Sequence, residues 1–595
     1  MLRKNKIQMK SFFGKIFASC LGTLLFFLLL IAGFMLIGVM SDNTPSISSN
    51  SVLHIKFNGP VKERVEKDNK FKVIFYNEST TDLSRLVKSI NAAKSDKKIK
   101  GIYLEPVFPM MGYTSADILR KALKDFKSSG KFVYSYSSLY TPLTYYIATI
   151  ADSIFLNPGG MIEKKGFARA SAFLKEFSDN IGVKYNIFYA GKFKSATEPL
   201  RLNRMSEENR LQLREFYNGI YKQTRDTLLV SRPKINKDSL ESFVNNFKGL
   251  FASNAIKYNL VDSLLYDIDF VDLLKRKVNV KKGKRLKLVS TNKYYRSIGK
   301  IDKKRSKNKI AVIYMDGNIV NSGKDPGSIS PEKYAKTFDD IIRKDKIKGV
   351  VVRVNSPGGS GSASDDILRS LDRIREAGKP VVISMGDYAA SGGYYISCHA
   401  DTIVASANTL TGSIGVFAVI PELKKLWEEK LKIHYDSVKT HKMGLSFSSS
   451  MGMDENGKAL IQSYIDKFYE DFLNTVAKGR NMTRDQVHEI AQGRIWLGSK
   501  AKELGLVDVL GDLQDAEKIC AGMAKLEDYS LSVYPKIKRN FVQEMMEQII
   551  NETDVDAKIE NSKYIREFKP LLDVINDKSM IAQPQARMPY DIEFR

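Results

Sequence analysis

The chain repeats itself. Ile99-Lys100-Gly101-Ile102-Tyr103-Leu104 returns 248 positions later as Ile347-Lys348-Gly349-Val350-Val351-Val352. Asp117-Ile118-Leu119-Arg120 matches Asp366-Ile367-Leu368-Arg369, and Tyr145-Tyr146-Ile147 matches Tyr394-Tyr395-Ile396, both at offset 249. Leu260-Val261-Asp262 matches Leu506-Val507-Asp508 at offset 246. A unit this long is a duplicated domain, not a turn of a solenoid. The two copies are expected at about 51–300 and 305–540.

Each copy alternates strand-like and helix-like segments. In the second, residues 310–315 read as a strand ending at the turn signal Asp316-Gly317. Residues 349–354 and 381–385 read as further buried strands. Helices are expected over 364–376, from about 391, and over 455–480 and 484–490. The first copy has a matching helix at about 206–229. Such alternation implies an α/β fold with parallel sheets.

Residues 16–40 carry no charge. At 1.5 Å per residue they span about 37 Å as a helix, enough for a bilayer core of about 30 Å. Lysine and arginine before the run place residues 1–15 in the cytoplasm and the body outside. A single transmembrane anchor is expected. A cleaved signal peptide is the alternative, disfavoured by the length of the run.

The net charge of +27 is concentrated. Residues 1–15 carry five basic groups and no acid, and residues 275–309 carry sixteen against Asp302 alone. The remainder is only mildly basic, and no zinc-finger or RNA-binding signature is present, which argues against nucleic acid as a partner. The stretch 275–309 reads as a solvated linker between copies, or as a contact for anionic lipid. Residues 541–595 read as a partly disordered tail without an assigned role. Three cysteines exclude a disulfide scaffold. No HExxH or cysteine cluster points to a metal, and no cofactor is expected.

Two loops in the second copy carry the chemistry. Asn355-Ser356-Pro357-Gly358-Gly359-Ser360 and Ala389-Ala390-Ser391-Gly392-Gly393-Tyr394 each follow a strand and precede a helix. Each alone also reads as a tight turn. Together they offer a serine at a helix N-terminus and backbone N–H groups for a developing oxyanion. A serine nucleophile needs a base. None of His54, His399, His434, His441 and His488 sits in a telling motif. A lysine serves if burial lowers its pKa from about 10.4 toward neutrality, which requires hydroxyl neighbours and no carboxylate.

These loops, with Leu410-Thr411-Gly412-Ser413-Ile414-Gly415, Gly493-Arg494-Ile495-Trp496, Ala501-Lys502-Glu503-Leu504-Gly505-Leu506-Val507-Asp508 and Phe193-Lys194-Ser195-Ala196-Thr197-Glu198-Pro199, resemble the long, duplicated bacterial signal peptide peptidases of the protease IV type. The resemblance spans about residues 50–540. It implies a membrane-bound Ser/Lys endopeptidase of crotonase-like (Clp-protease-like) fold, assembled as a tetramer, acting on apolar signal peptides at the outer face of the inner membrane. It implies Ser391 as nucleophile, Lys194 of the first copy as base, Ser413 as the hydroxyl that orients the lysine, and Gly392 and Gly359 as the oxyanion hole.

At offset 249 Ser391 aligns with Pro142, and the Asn355 loop aligns near 106–111, where no paired glycines occur. One active serine per chain is therefore expected. At offset 248 Lys194 aligns with Lys442, which stands as the alternative base, while Lys192 reads as a solvated cation. Acyl-CoA chemistry on a crotonase-like fold and a non-catalytic membrane scaffold are the competing functions.

Overall fold

A computed structural model describes Phe26 and residues 45–65, 80–298, 306–536 and 585–587. The chain divides into two compact units, one of 1–47 with 538–557 and one of 48–537 with 558–595. Of the first, only Phe26, in a helical conformation, and residues 45–47 are described. The expected anchor at 16–40 thus lies outside the described residues but for Phe26. No helix among the described residues is long and apolar enough to cross a membrane.

The second unit holds both copies. In the first, strands Ser51–Lys62 (β1), Ile99–Met110 (β2), Phe132–Tyr140 (β3) and Ser153–Ile162 (β4) pair in parallel in that order. Helices Leu83–Ser95 (α1), Tyr113–Lys127 (α2) and Pro142–Ala148 (α3) connect them. Strand Lys184–Ala190 (β5) and helix Glu207–Ser231 (α4) follow. Ser206 caps α4 by accepting from the Asn209 N–H, and two glutamates in its first turn suit the helix dipole. Leu288–Ser290 (β6) adds to β1 in parallel, and helix Thr291–Ile298 buries Tyr294. Part of the basic stretch read as a linker is therefore built into the first sheet.

The second copy runs Lys309–Asp316 (β7), Ile347–Ser356 (β8), Gly358–Ser360 (β9), Gly361–Glu376 (α5), Val381–Ala390 (β10), Gly392–Tyr395 (α6), Leu410–Gly412 (β11), Val416–Glu422 (β12), Glu455–Arg480 (α7) and Ile495–Leu497 (β13). β7, β8, β10 and β11 pair in parallel and β13 closes the edge antiparallel to β11. The apolar run Val350–Val352 is fully buried between layers, as expected of a parallel strand covered on both faces. β10 runs five residues past its expected end, because Tyr388, Ala389 and Ala390 pair with β11. The helix expected from about 391 is one turn long. Cys398 and Cys520 are buried and free.

A third sheet joins the copies. β5 of the first pairs antiparallel with β12 of the second along its whole length, from Val416 opposite Ala190 to Glu422 opposite Lys184. Polar contacts fix the joint elsewhere. Asp387 on β10 accepts from the N–H groups of Gly112 and Ser115 at the start of α2 and from Ser115 Oγ at 2.7 Å. Arg353 on β8, 1% exposed, bonds Glu63 of the first copy at 2.5 Å, Met385 O at 2.6 Å and Ser384 Oγ at 2.9 Å. Removing one partner of such a pair leaves a buried charge uncompensated. Glu63→Ala is expected to cost about 3–5 kcal/mol, read as a lower midpoint in thermal or denaturant unfolding.

Candidate active site

The parallel strands of the second sheet deliver their carboxyl ends to one place. β8 leads into the paired glycines and β10 ends at Ser391, the residue before α6. Ser391 has φ +56° and ψ −117°, and Ser413, just past β11, has φ +52°. Both are non-glycine residues in a costly region of backbone space, held there by neighbouring pairing. The Ser391 N–H donates to Gly412 O at 2.8 Å, while its hydroxyl makes no capping bond to α6. The hydroxyl is free for another partner.

That partner is Lys194. β5 runs alongside β12, and the chain leaving β5 carries the lysine over the end of the second sheet. Lys194 Nζ lies 2.8 Å from Ser391 Oγ, 3.0 Å from Ser413 O and 3.1 Å from Ser413 Oγ. All three residues are fully buried. Burial pushes the Lys194 amine well below the usual lysine range, and no carboxylate offsets that shift. A neutral amine beside a serine hydroxyl can accept its proton.

The other sequence candidates fall elsewhere. Lys442 is exposed, its charge near Asp454. Lys192 is exposed over the Phe193 ring. His399 is bonded to Asp372 at 2.9 Å and to Thr475 O at 3.1 Å. His54 pairs with Glu105 and His488 lies against Tyr469. His434 and His441 are exposed.

Gly392 directly follows Ser391 as the first residue of α6. Gly359 has φ +152°, and a Cβ there would lie 2.0 Å from Ile319 O, so only glycine fits. A Cβ on Gly393 would lie 2.6 Å from Ser356 O. The two loops thus close on one another around Ser391. Among the described residues no group of three or more His, Cys, Asp and Glu is placed to hold a metal ion.

A strand that the sequence does not announce lies alongside. Gln585–Arg587 (β14) pairs antiparallel with β9, Ala586 opposite Gly359, and Gln585 also pairs with Phe417 of β12. Three residues of tail give no periodicity to detect.

The corresponding region of the first copy is built differently. Tyr140 pairs with Ile162 and, at the same offset of 249, Ala389 pairs with Thr411. The residue before α3, the counterpart by helix position of Ser391 before α6, is Thr141. Its φ is an ordinary −73°, and its hydroxyl caps α3 by accepting from the Thr144 N–H.

Lys194 is charged in an unfolded chain below about pH 10.4 and its proton is disfavoured in the folded one. The unfolded state then binds more protons, so this group's penalty on folding shrinks as pH rises toward 10.4. The melting-temperature difference between wild type and Lys194→Met is expected to move in favour of wild type from pH 7 to pH 10.

Peptidase family S49 matches the chain twice, at residues 125–281 and 373–527. Protease 4 of Salmonella typhi is 34% identical over 76% of this chain and 73% of that protein. Protease 4 of Haemophilus influenzae is 32% identical over 72% and 71%. The putative signal peptide peptidase SppA of Enterococcus faecium is 36% identical over 38% of this chain and 67% of its own length. Matched in both halves, and to relatives along most of their length, the chain belongs to peptidase family S49 and is a serine endopeptidase built on a duplicated domain.

Proposed function

We propose that Ser391 is the nucleophile and Lys194 the general base of peptide hydrolysis. The observation that carries this is the 2.8 Å contact between Ser391 Oγ and a buried, carboxylate-free amine. Neutral Lys194 takes the hydroxyl proton as Ser391 Oγ attacks the peptide carbonyl. The N–H groups of Gly392 and Gly359 stabilise the tetrahedral oxyanion. The ammonium, held by Ser413 Oγ and Ser413 O, gives its proton to the leaving amine. Lys194, neutral again, then activates the water that releases the acyl group.

The substrate lies extended between β9 and β12. The chain's own β14 occupies that cleft as an antiparallel strand, which is how a peptide adds to open sheet edges. The peptides degraded are apolar, cleaved signal peptides above all, in keeping with the name of the Enterococcus faecium relative. The apolar run at 16–40 anchors the protein in the inner membrane, with its N-terminus cytoplasmic and its body periplasmic, beside lipid. The protein works as a homo-oligomer, a tetramer enclosing the sites.

A fluorophosphonate located by mass spectrometry tests the chemistry. Label is expected on Ser391, lost in Lys194→Ala and kept in Lys442→Ala. Both Ser391→Ala and Lys194→Ala should lower kcat/KM by at least about 10³-fold. An unlabelled Ser391 in folded protein would return the scaffold reading, and label dependent on Lys442 would move the base.

Because β14 fills the cleft, an entering peptide displaces it. A chain ending at Met580 is expected to show a lower KM with kcat unchanged. An unaltered KM would show that the tail does not compete with substrate.

A further inference from the structure

The loop that carries Lys194 is anchored by residues that the chemistry above does not use. The Phe193 N–H donates to Gln492 O at 2.9 Å. One residue later the Gly493 N–H donates to Ile414 O at 2.7 Å, and the Ser413 N–H donates to Arg494 O at 2.7 Å. Residues 492–494 thus hold the lysine loop of one copy and the Ser413 loop of the other. The approach leaves no spare room. A Cβ on Gly493, at φ +76°, would lie 2.6 Å from Lys194 Cβ, and one on Gly191 would lie 2.4 Å from the carbonyl carbon of Gln492. The backbone of the Gly493-Arg494-Ile495-Trp496 motif is therefore the seam between the base and the orienting serine.

Gln212 of α4 completes the seam. It is 1% exposed. Its Nε2 donates to Phe193 O at 3.0 Å and to Ser195 Oγ at 2.9 Å, the residues on either side of Lys194. Its Oε1 accepts from the Ile495 N–H at 3.2 Å. The amide is braced in turn: Asn209 Oδ1 lies 3.3 Å from Nε2, and Asn209 Nδ2 donates to buried Glu198 at 2.7 Å. A buried amide with its donors and its acceptor engaged is held in one orientation.

We propose that Gln212 is a positioning residue for the reaction, fixing Lys194 against Ser391 and Ser413 by tying the lysine loop to residues 492–495. The inference rests on the reading of Lys194 as the base. Gln212 touches neither the reacting hydroxyl nor the cleft between β9 and β12. Its removal acts on the placement of the amine, where a shift of about 1 Å costs about 10²-fold in rate.

Full-length wild type, Gln212→Met, Gln212→Glu and Lys194→Ala are compared for kcat and KM on one peptide across pH 6–10, with melting temperatures alongside. Gln212→Met conserves volume and loses the bonds. Its kcat is expected to fall about 10- to 100-fold with KM within twofold. Gln212→Glu keeps the acceptor for the Ile495 N–H but sets a negative charge beside the lysine loop, which favours the ammonium form. The rising limb of its kcat/KM profile is expected at higher pH than in wild type. Wild-type kcat in folded Gln212→Met together with an unmoved profile in Gln212→Glu would overturn the proposal. If Gln212→Met does not fold, the Gln212→Glu profile alone decides. Failure of the base reading looks different, because Lys194→Ala would then keep its activity.

Discussion

Burial without a carboxylate neighbour lowers the affinity of a lysine amine for its proton, and the architecture around Lys194 supplies both conditions. An isolated buried ammonium is costly, which favours the neutral amine. The hydroxyls of Ser391 and Ser413 and one carbonyl satisfy the neutral group without stabilising charge as a carboxylate would. Enclosing a side chain so completely takes two layers of protein. One domain supplies the sheet end with its hydroxyls, and the other supplies the loop that closes over it. The antiparallel pairing of β5 with β12 lays that loop in place.

The arrangement carries local costs. Ser391 and Ser413 both have positive φ, of the order of 1–3 kcal/mol each for non-glycine residues. Arg353 and Asp387 are buried polar groups whose partners lie in part across the joint. The apolar cores beneath offset these terms, and the parallel strands of the second copy are buried along almost their whole length. Thr141, the residue before α3, shows an unstrained alternative: an ordinary backbone and a hydroxyl that caps its helix. Ser391, before α6, has neither the ordinary backbone nor the capping bond.

Much of this was legible in the sequence because it rests on local pattern. The repeat, the alternation of elements and the helices Glu455–Arg480 and Arg484–Ile490 come from periodicity and capping residues, which depend on near neighbours. The glycine loops announced themselves because only glycine fits where another backbone comes within van der Waals range, as at Gly359. The partner of Ser391 did not follow from spacing, since Lys194 is 197 residues away and is brought in by strand pairing between copies. Family resemblance, rather than periodicity, pointed to it. Gln212 and β14 were illegible for the same reason: an amide on a helix and three tail residues acquire meaning only from what tertiary structure sets beside them. The part of stretch 275–309 that adds a strand to the first sheet was hidden by its charge, because a short edge strand needs few apolar residues.

The division of Ser391 and Lys194 between the two copies also ties the two domains to one another. The amine comes from one half and the two hydroxyls beside it from the other. The duplication has passed from redundancy to mutual dependence. A change that loosens the joint between halves is therefore felt at the contact of Lys194 with Ser391, however far away it is made.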